Sequence, residues 1–174
     1  MNRSRFLMSG LGLAVVVGLA ACGEPSAFEV EEVGPSFSVA RSGPLVCPVG
    51  TTRSVSAVIG QRGGTVELDG HRVTLPFGAV HRPTTITLTV PASRYLEIDL
   101  RAAGQEHYEF LAPVTVTVSY ARCERRDVDQ ELLSAWAIDP ATKTLLEGMT
   151  SRDDKEHQSV TFSTLHFSTY AIAD

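Results

Sequence analysis

The pair Asp69-Gly70 stands between two short segments, Thr65–Leu68 and His71–Leu75, in which apolar and polar residues alternate. Asp-Gly favours the type I′ turn of a two-residue β-hairpin, because both central positions of that turn need a positive φ. Alternation with a period of two is typical of a strand that buries one face only. The sequence therefore predicts an antiparallel hairpin at this point.

The turn also fixes the register of the predicted hairpin. Leu68 would lie opposite His71, near the core, where His71 satisfies a local hydrogen bond or, as the alternative, binds zinc. Glu67 would pair with Arg72 on the outer face, and such an opposite-charge pair contributes about 0.2–1 kcal/mol. The inner face would consist of Val66, Leu68, Val73 and Leu75.

The same alternation recurs along the rest of the chain. The clearest further strands are predicted at 85–90, 114–120, 159–162 and 168–172, and weaker ones at 95–100, 107–111 and 132–138. Asp139–Thr142 has the composition of a turn, and we interpret Asp127–Leu133 as a loop that leads into a strand rather than a helix. Many short alternating strands separated by turns favour an all-β fold, an antiparallel β-sandwich.

The first residues have the composition of a secretory signal. Arg3 and Arg5 precede an apolar run that ends at Ala21 and is too short to cross a bilayer, which takes about 20 residues. Leu19–Cys22 resembles the lipobox of bacterial lipoproteins, which implies cleavage before Cys22 and a lipid with fatty acyl chains, such as palmitate, on its thiol. An ordinary cleaved signal with a chance cysteine is the alternative.

Three segments follow from this interpretation. Residues 1–21 would be the lipoprotein signal peptide, 22–47 a lipid-anchored flexible linker interrupted by prolines and glycines, and 48–174 one folded domain. The residue after Cys22 is Gly23 and not aspartate. In this the chain resembles lipoproteins that are released to an outer membrane, in cells that have one. We therefore expect an exported protein that is anchored to the membrane of a bacterial cell envelope through Cys22.

Charge excludes one class of partner. The chain has 15 basic and 20 acidic residues, and loss of Arg3 and Arg5 with the signal would leave 13 basic residues and a formal charge of −7. Such a chain is repelled by phosphate backbones, so we expect no nucleic-acid partner.

The three cysteines have different expected roles. With lipid on Cys22, Cys47 and Cys123 remain as a pair in an oxidising compartment, which favours a disulfide between them. In the chain-entropy model, a bridge across a loop of this length stabilises the fold by about 4–5 kcal/mol. Two free buried thiols are the alternative. The pair lacks a C-x-x-C spacing, so we expect no redox catalysis.

Several segments together resemble a ZU5 domain, over Val58 to Asp174. They are Gly63-Gly64, Pro76–Ala79, Thr84–Val90, Leu111–Val116, Trp136–Asp139 and Leu165–Tyr170. The resemblance implies a ZU5-like β-sandwich that is used mainly for contacts with other proteins. A lipobox lies outside the pattern of the animal receptors and scaffolds in which this domain is best known, so their partners are not carried over.

Some ZU5-containing proteins resemble this chain at His166-Phe167-Ser168 and cleave themselves between Phe and Ser. By that resemblance Ser168 would attack the Phe167 carbonyl with His166 as general base. In an extended strand these two side chains lie about 6.5–7 Å apart, which is too far for direct proton transfer. The strand phase changes between Phe162 and Phe167, so either a bulge or a turn lies here. The alternative role is structural, in which His166 and Ser168 cap the last strand and Phe167 packs.

The remaining residues give weak signals for chemistry. The histidines His71, His81, His107, His157 and His166 have no metal-binding spacing. Glu106-His107 and Asp153–His157 are interpreted as solvated loops rather than metal loops. Trp136 is predicted to lie in the core with Ile138; the alternative is a stacking platform in a carbohydrate- or peptidoglycan-binding module.

The sequence thus favours a lipid-anchored envelope protein whose β-sandwich is a non-catalytic protein-binding or structural module. The expected contacts are the membrane, through Cys22, and another envelope protein. We expect no cofactor, no metal and no small-molecule substrate. Single-turnover self-cleavage at His166-Phe167-Ser168 and carbohydrate binding are the alternatives.

Overall fold

A computed structural model describes residues 43–103, 105, 107–123 and 132–174. The regular structure of these residues is entirely β-strand, and none of them belongs to a helix that could span a membrane. In chain order the strands are β1 (Arg53–Ile59), β2 (Gly64–Leu68), β3 (His71–Leu75), β4 (Thr84–Val90), β5 (Glu97–Ala102), β6 (Glu109–Ser119), β7 (Ser134–Ile138), β8 (Leu145–Gly148), β9 (Ser151–Asp154), β10 (Ser159–His166) and β11 (Thr169–Ala173).

The strands form two antiparallel sheets. One has six strands in the order β1-β4-β5-β11-β7-β8, and the other has five in the order β2-β3-β6-β10-β9. Alternate residues of both sheets bury their side chains in one apolar cluster. The fold is therefore an antiparallel β-sandwich, as the alternating pattern predicts.

The Asp-Gly hairpin forms with the predicted turn and register. Asp69 and Gly70 have φ values of 52° and 82°, Leu68 pairs with His71, and Glu67 pairs with Arg72. The Nε atom of Arg72 lies 2.6 Å from the Glu67 carboxylate, and both side chains are exposed. The residues of this turn, which needs two positive φ values, were thus enough to predict the pairing of β2 with β3 in the five-stranded sheet.

The core is built mainly from aliphatic residues that alternate with threonine along the strands. Ile86 and Leu88 of β4 and Ile98 and Leu100 of β5 have no exposed surface. Burial of an aliphatic side chain of this size contributes roughly 1.5–3 kcal/mol. The alternation that identified these strands is therefore also the pattern that stabilises the sandwich.

Two of the predicted strands are one continuous strand. The weak strand at 107–111 and the clear one at 114–120 are joined in β6, although Pro113 stands between them. Strand β10 changes register opposite this position, between Thr164 and His166. A proline is tolerated in a strand at such an irregularity, because the N–H that it lacks has no regular partner there.

The folded body begins earlier than the predicted boundary at residue 48. The N–H of Leu45 donates to the carbonyl of Ile172 at 2.7 Å, and the side chain of Leu45 is buried. Pro44 and Val46 form bridges with Ala173 and Tyr95. The linker prediction is therefore wrong at its C-terminal end, because Leu45, an apolar residue, is buried and bonded beside β11, an interior strand of the six-stranded sheet. Residues 22–42 of that linker lie outside the described residues.

Cys47 and Cys123 form the predicted disulfide, with their Cα atoms 4.7 Å apart. The bridge joins the first described residues to the segment after β6, and both cysteines are buried. It lies at the end of the sandwich where β1 begins and where β4 and β6 end.

Candidate functional site

The segment around Phe167 carries the chain from one sheet to the other. Strand β10 belongs to the five-stranded sheet and β11 to the six-stranded sheet, and only Phe167 and Ser168 separate them. A bulge lies between Thr164 and His166. Phe167 is fully buried. Its ring packs edge-to-face with the ring of Phe110, and the two ring centroids are 4.5 Å apart. The phase change in the sequence is therefore a bulge followed by a change of sheet.

Two buried hydroxyl groups hold this crossover in place. The phenol of Tyr170 donates to the carbonyl oxygen of His166 at 2.7 Å, and the hydroxyl of Thr164 donates to the same oxygen at 2.8 Å. The N–H of His166 in turn donates to the Thr164 hydroxyl at 3.2 Å. Burial raises the pKa of Tyr170 to about 12, so its phenol remains a donor at neutral pH.

His166 and Ser168 open into different cavities. Ser168 lines a cleft of about 180 Å³ that also contains Asp99 and His107. His166 lines another cavity, and its Nε2 atom lies 3.8 Å from the Glu147 carboxylate. The structure therefore does not bring the predicted base and nucleophile together in one cavity.

The donors around the crossover also point at a different peptide bond. Self-cleavage would need donors aimed at the carbonyl of Phe167, where charge develops during attack by Ser168. The hydroxyls of Thr164 and Tyr170 instead bind the carbonyl of His166. The structural interpretation assigned capping of this segment to the side chains of His166 and Ser168; the hydrogen bonds to the His166 carbonyl come instead from two neighbouring hydroxyls, those of Thr164 and Tyr170. Phe167 packs in the core as that interpretation required.

His71 is a buried histidine that satisfies a local hydrogen bond, as predicted. The N–H of Ser119 donates to its Nδ1 atom at 3.2 Å. Burial, together with the positive charge of Arg122, lowers the pKa of His71 to about 4, against a smaller opposing effect of Asp69. The ring is therefore neutral at physiological pH, with its proton on Nε2.

The acidic run at Asp153–His157 is only in part the predicted solvated loop, since residues 155–157 form an exposed turn but the two aspartates do not. Asp153 and Asp154 lie in β9, and the side chain of Asp153 is buried. Its carboxylate accepts hydrogen bonds from the Tyr120 phenol at 2.9 Å and from the N–H of Leu133 at 3.0 Å. The carboxylate therefore links β9 to the residue that follows β6 and to the residue that precedes β7. Within the described residues, no group of three metal-binding side chains occurs; Glu106 lies outside them.

Trp136 lies outside the apolar core cluster, so the prediction that it is a core residue was wrong. Ala135 and Ala137 point into the core, and Trp136 between them is half-buried on the outer face. Its six-membered ring packs on Gly148 of β8, where an added Cβ would lie 3.2 Å from the ring. A glycine on an edge strand is thus covered by an aromatic ring from its neighbour, which leaves less of the ring free for stacking on a sugar.

The four edges of the two sheets differ in how well they are protected. Strands β2, β8 and β9 are four or five residues long. β8 is opposed by a register shift in β7, and β9 contains Arg152 and two aspartates. Short length, bulges and charge are the features that discourage pairing of an edge with another chain.

Strand β1 is the exception among these edges. It is seven residues long, pairs regularly with β4 from Arg53 to Ile59, and carries its one charge at Arg53. Hydroxyl pairs join it to β4, with Ser56 and Thr87 2.8 Å apart. Val58, on the outer face, is 68% exposed. No other described strand pairs with the opposite edge of β1, which is an end of the six-stranded sheet.

Sequence reasoning missed β1 although a signal was present. Ser54-Val55-Ser56-Ala57 alternates between polar and apolar residues, but the alternation ends where Val58 and Ile59 follow Ala57 as further apolar residues. Cys22 and the signal segment 1–21 lie outside the described residues.

No protein-family model matches the chain, and no curated protein matches it.

Proposed function

We propose that this chain is a lipid-anchored protein of a bacterial cell envelope whose β-sandwich, ZU5-like in its sequence motifs, binds another envelope protein without catalysis. The edge of β1 is the binding surface, and the partner contributes an extended segment that adds a strand to the six-stranded sheet. Backbone hydrogen bonds would supply affinity, and contacts with side chains on the two faces of β1 would supply specificity.

The difference between β1 and the other edges is the observation that carries this proposal. A regular edge of seven residues with almost no charge is a liability for a protein that functions alone. The hydroxyl pairs between β1 and β4 keep the edge straight and in register before a partner arrives. An ordered edge loses less conformational entropy on binding than a mobile segment.

The anchoring half of the proposal is supported by the sequence Leu19–Cys22. A cysteine directly after small residues at the end of a short apolar run is the substrate of lipid transfer in bacterial lipoproteins. Two or more acyl chains give stable attachment, whereas one is marginal. Detergent phase partitioning of the full chain tests this half. Wild-type protein should enter the detergent phase and Cys22→Ser the aqueous phase; wild-type protein in the aqueous phase would contradict it.

The binding half is tested by crosslinking in intact cells followed by purification of the full-length chain. Val58→Lys places a charge on the exposed face of β1 and should abolish the captured partner. Leu146→Lys is the matched control, because Leu146 on β8 is 65% exposed and lies at the opposite edge of the same sheet. Equal capture by both variants would show that β1 is not the binding edge.

A further inference from the structure

A third cavity, of about 560 Å³, lies at the disulfide end of the sandwich, away from the Ser168 crossover. It is lined by the turn of the Asp-Gly hairpin, the first residues of β1 and the segment after β6. Three of its lining side chains are basic or imidazole groups: Arg53, His71 and Arg122. Two of them, His71 and Arg122, lie outside β1 and have no role in the proposed binding by that strand.

The guanidinium group of Arg122 makes few and long hydrogen bonds to the described residues. Its Nε atom is buried and has no hydrogen-bond partner among the described residues. Its other two nitrogens make only long contacts, at 3.5 Å to the carbonyl of Pro48 and 3.4 Å to that of Tyr95. No carboxylate of the described residues forms an ion pair with it. A buried guanidinium donor without a partner is costly, and an oxyanion would satisfy it.

His71 supplies a neutral donor on the same wall. Because its Nδ1 accepts the N–H of Ser119, the proton of the ring lies on Nε2. Nε2 accepts or donates no hydrogen bond within the described residues. A neutral imidazole can donate a hydrogen bond to an anion. Because it carries no charge, it does not repel the guanidinium of Arg122.

The remaining charges of the cleft leave it net positive. Arg53 forms an ion pair with Asp69, so these two groups offset each other. Among the described residues that line the cleft, no carboxylate then offsets the charge of Arg122, in a protein whose overall formal charge is −5. A positively charged cleft in a protein of negative net charge favours the binding of a small anion at this site.

We propose that this cleft binds an oxyanion of the phosphate or carboxylate class. The guanidinium of Arg122 is the principal ligand, since its planar fork matches two oxygens of either group. The Nε2–H of His71 and the hydroxyl of Thr51 complete the donor set on the cleft wall. The inference is independent of the β1 edge and would stand if another surface bound the partner protein.

Isothermal titration of the full-length chain with inorganic phosphate, and separately with acetate, tests the proposal. We expect saturable binding of one anion per chain with at least one of the two probes, and the tighter probe assigns the class. Arg122→Gln should weaken that binding about tenfold or more, the effect of a lost charge-assisted pair. Arg62→Gln is the matched control, because Arg62 is exposed and does not line the cleft, and it should bind like the wild type.

A second variant protects the test against a folding defect in Arg122→Gln, which neighbours the disulfide. Arg53→Gln alters an exposed side chain and frees the Asp69 carboxylate at the cleft, so it should also weaken anion binding while the thermal midpoint stays within the range of the control. Absence of saturable binding with both probes would overturn the proposal. Equal affinity of wild type, Arg122→Gln and Arg62→Gln would overturn it as well.

Discussion

Tyr170 and His166 are joined by a 2.7 Å hydrogen bond from the phenol of one to the main-chain carbonyl of the other. This bond spans the point at which the chain leaves the five-stranded sheet and joins the six-stranded sheet. With the Thr164 hydroxyl on the same oxygen, it satisfies a carbonyl that a bulge has removed from regular pairing. We conclude that the histidine-phenylalanine-serine segment is a structural crossover.

Loss of the Tyr170 hydroxyl should therefore destabilise the fold. Tyr170→Phe leaves the buried His166 carbonyl with one donor fewer, and we expect the free energy of unfolding in urea to fall by about 1–2 kcal/mol. Tyr108→Phe is the control, because that phenol makes only a 3.4 Å contact with Thr84. Equal losses in the two variants would contradict a special role for the crossover bond.

The purified full-length protein should remain intact at the crossover. His166 and Ser168 line separate cavities, and the nearby donors bind the carbonyl of His166 rather than that of Phe167. Mass spectrometry should find no seven-residue fragment Ser168–Asp174, and Ser168→Ala should have the same intact-mass pattern as the wild type. A fragment present in the wild type and absent in that variant would restore self-cleavage.

Stability should fall as the pH is lowered from about 6.5 to about 4. Burial first, and the charge of Arg122 second, lower the pKa of His71 from 6.5 to about 4 in the folded protein. Between these values the unfolded chain binds a proton that the folded chain does not, so the contribution of His71 is complete above pH 6.5 and lost as the pH falls. The loss reaches about 3 kcal/mol at most.

Urea unfolding at several pH values measures this effect. His71→Gln should flatten the dependence of unfolding free energy on pH in this range, whereas His81→Gln, at an exposed position, should retain the wild-type slope. Identical slopes in all three proteins would show that His71 does not titrate as proposed.

Reduction of the Cys47–Cys123 disulfide should lower the free energy of unfolding by about 4–5 kcal/mol in the chain-entropy model. The bridge also ties the segment that contains Leu45 to the body of the fold. A double variant with alanine at both cysteines should be insensitive to reductant, which provides the control. Alkylation of Cys47 or Cys123 in the unfolded, non-reduced protein would contradict the bridge.

The local parts of the fold could be predicted from the sequence because their determinants are neighbours. Asp69-Gly70 set the turn and register of a hairpin, and the change of strand phase before Phe167 indicated an irregularity there, although the sequence left a bulge and a turn as equal alternatives. Strand β1 was not predicted because its alternation is short: it covers Ser54 to Ala57, and Val58 and Ile59 then continue as an apolar run. Pro113 suggested a break in β6, and it does lie at an irregularity: four residues of β6, 110–113, stand against the single residue Leu165 of β10.

The sites that depend on tertiary structure gave no local signal. Arg122 and His71 are far apart in sequence and meet only because β3 and β6 are neighbours in the five-stranded sheet. The edge position of β1 is likewise a property of strand order. Trp136 was misplaced because alternation alone does not tell which face of a strand is the core when both of its neighbours are alanines.

The central claim is that an extended segment of another protein pairs with β1, and site-specific photo-crosslinking in intact cells tests it most directly. A photo-reactive residue at Val58 of the full-length chain should form a light-dependent adduct with a partner protein. The same residue at Leu146, on the opposite edge of the same sheet, should not. An adduct from Leu146 alone, or none from Val58, would contradict the account.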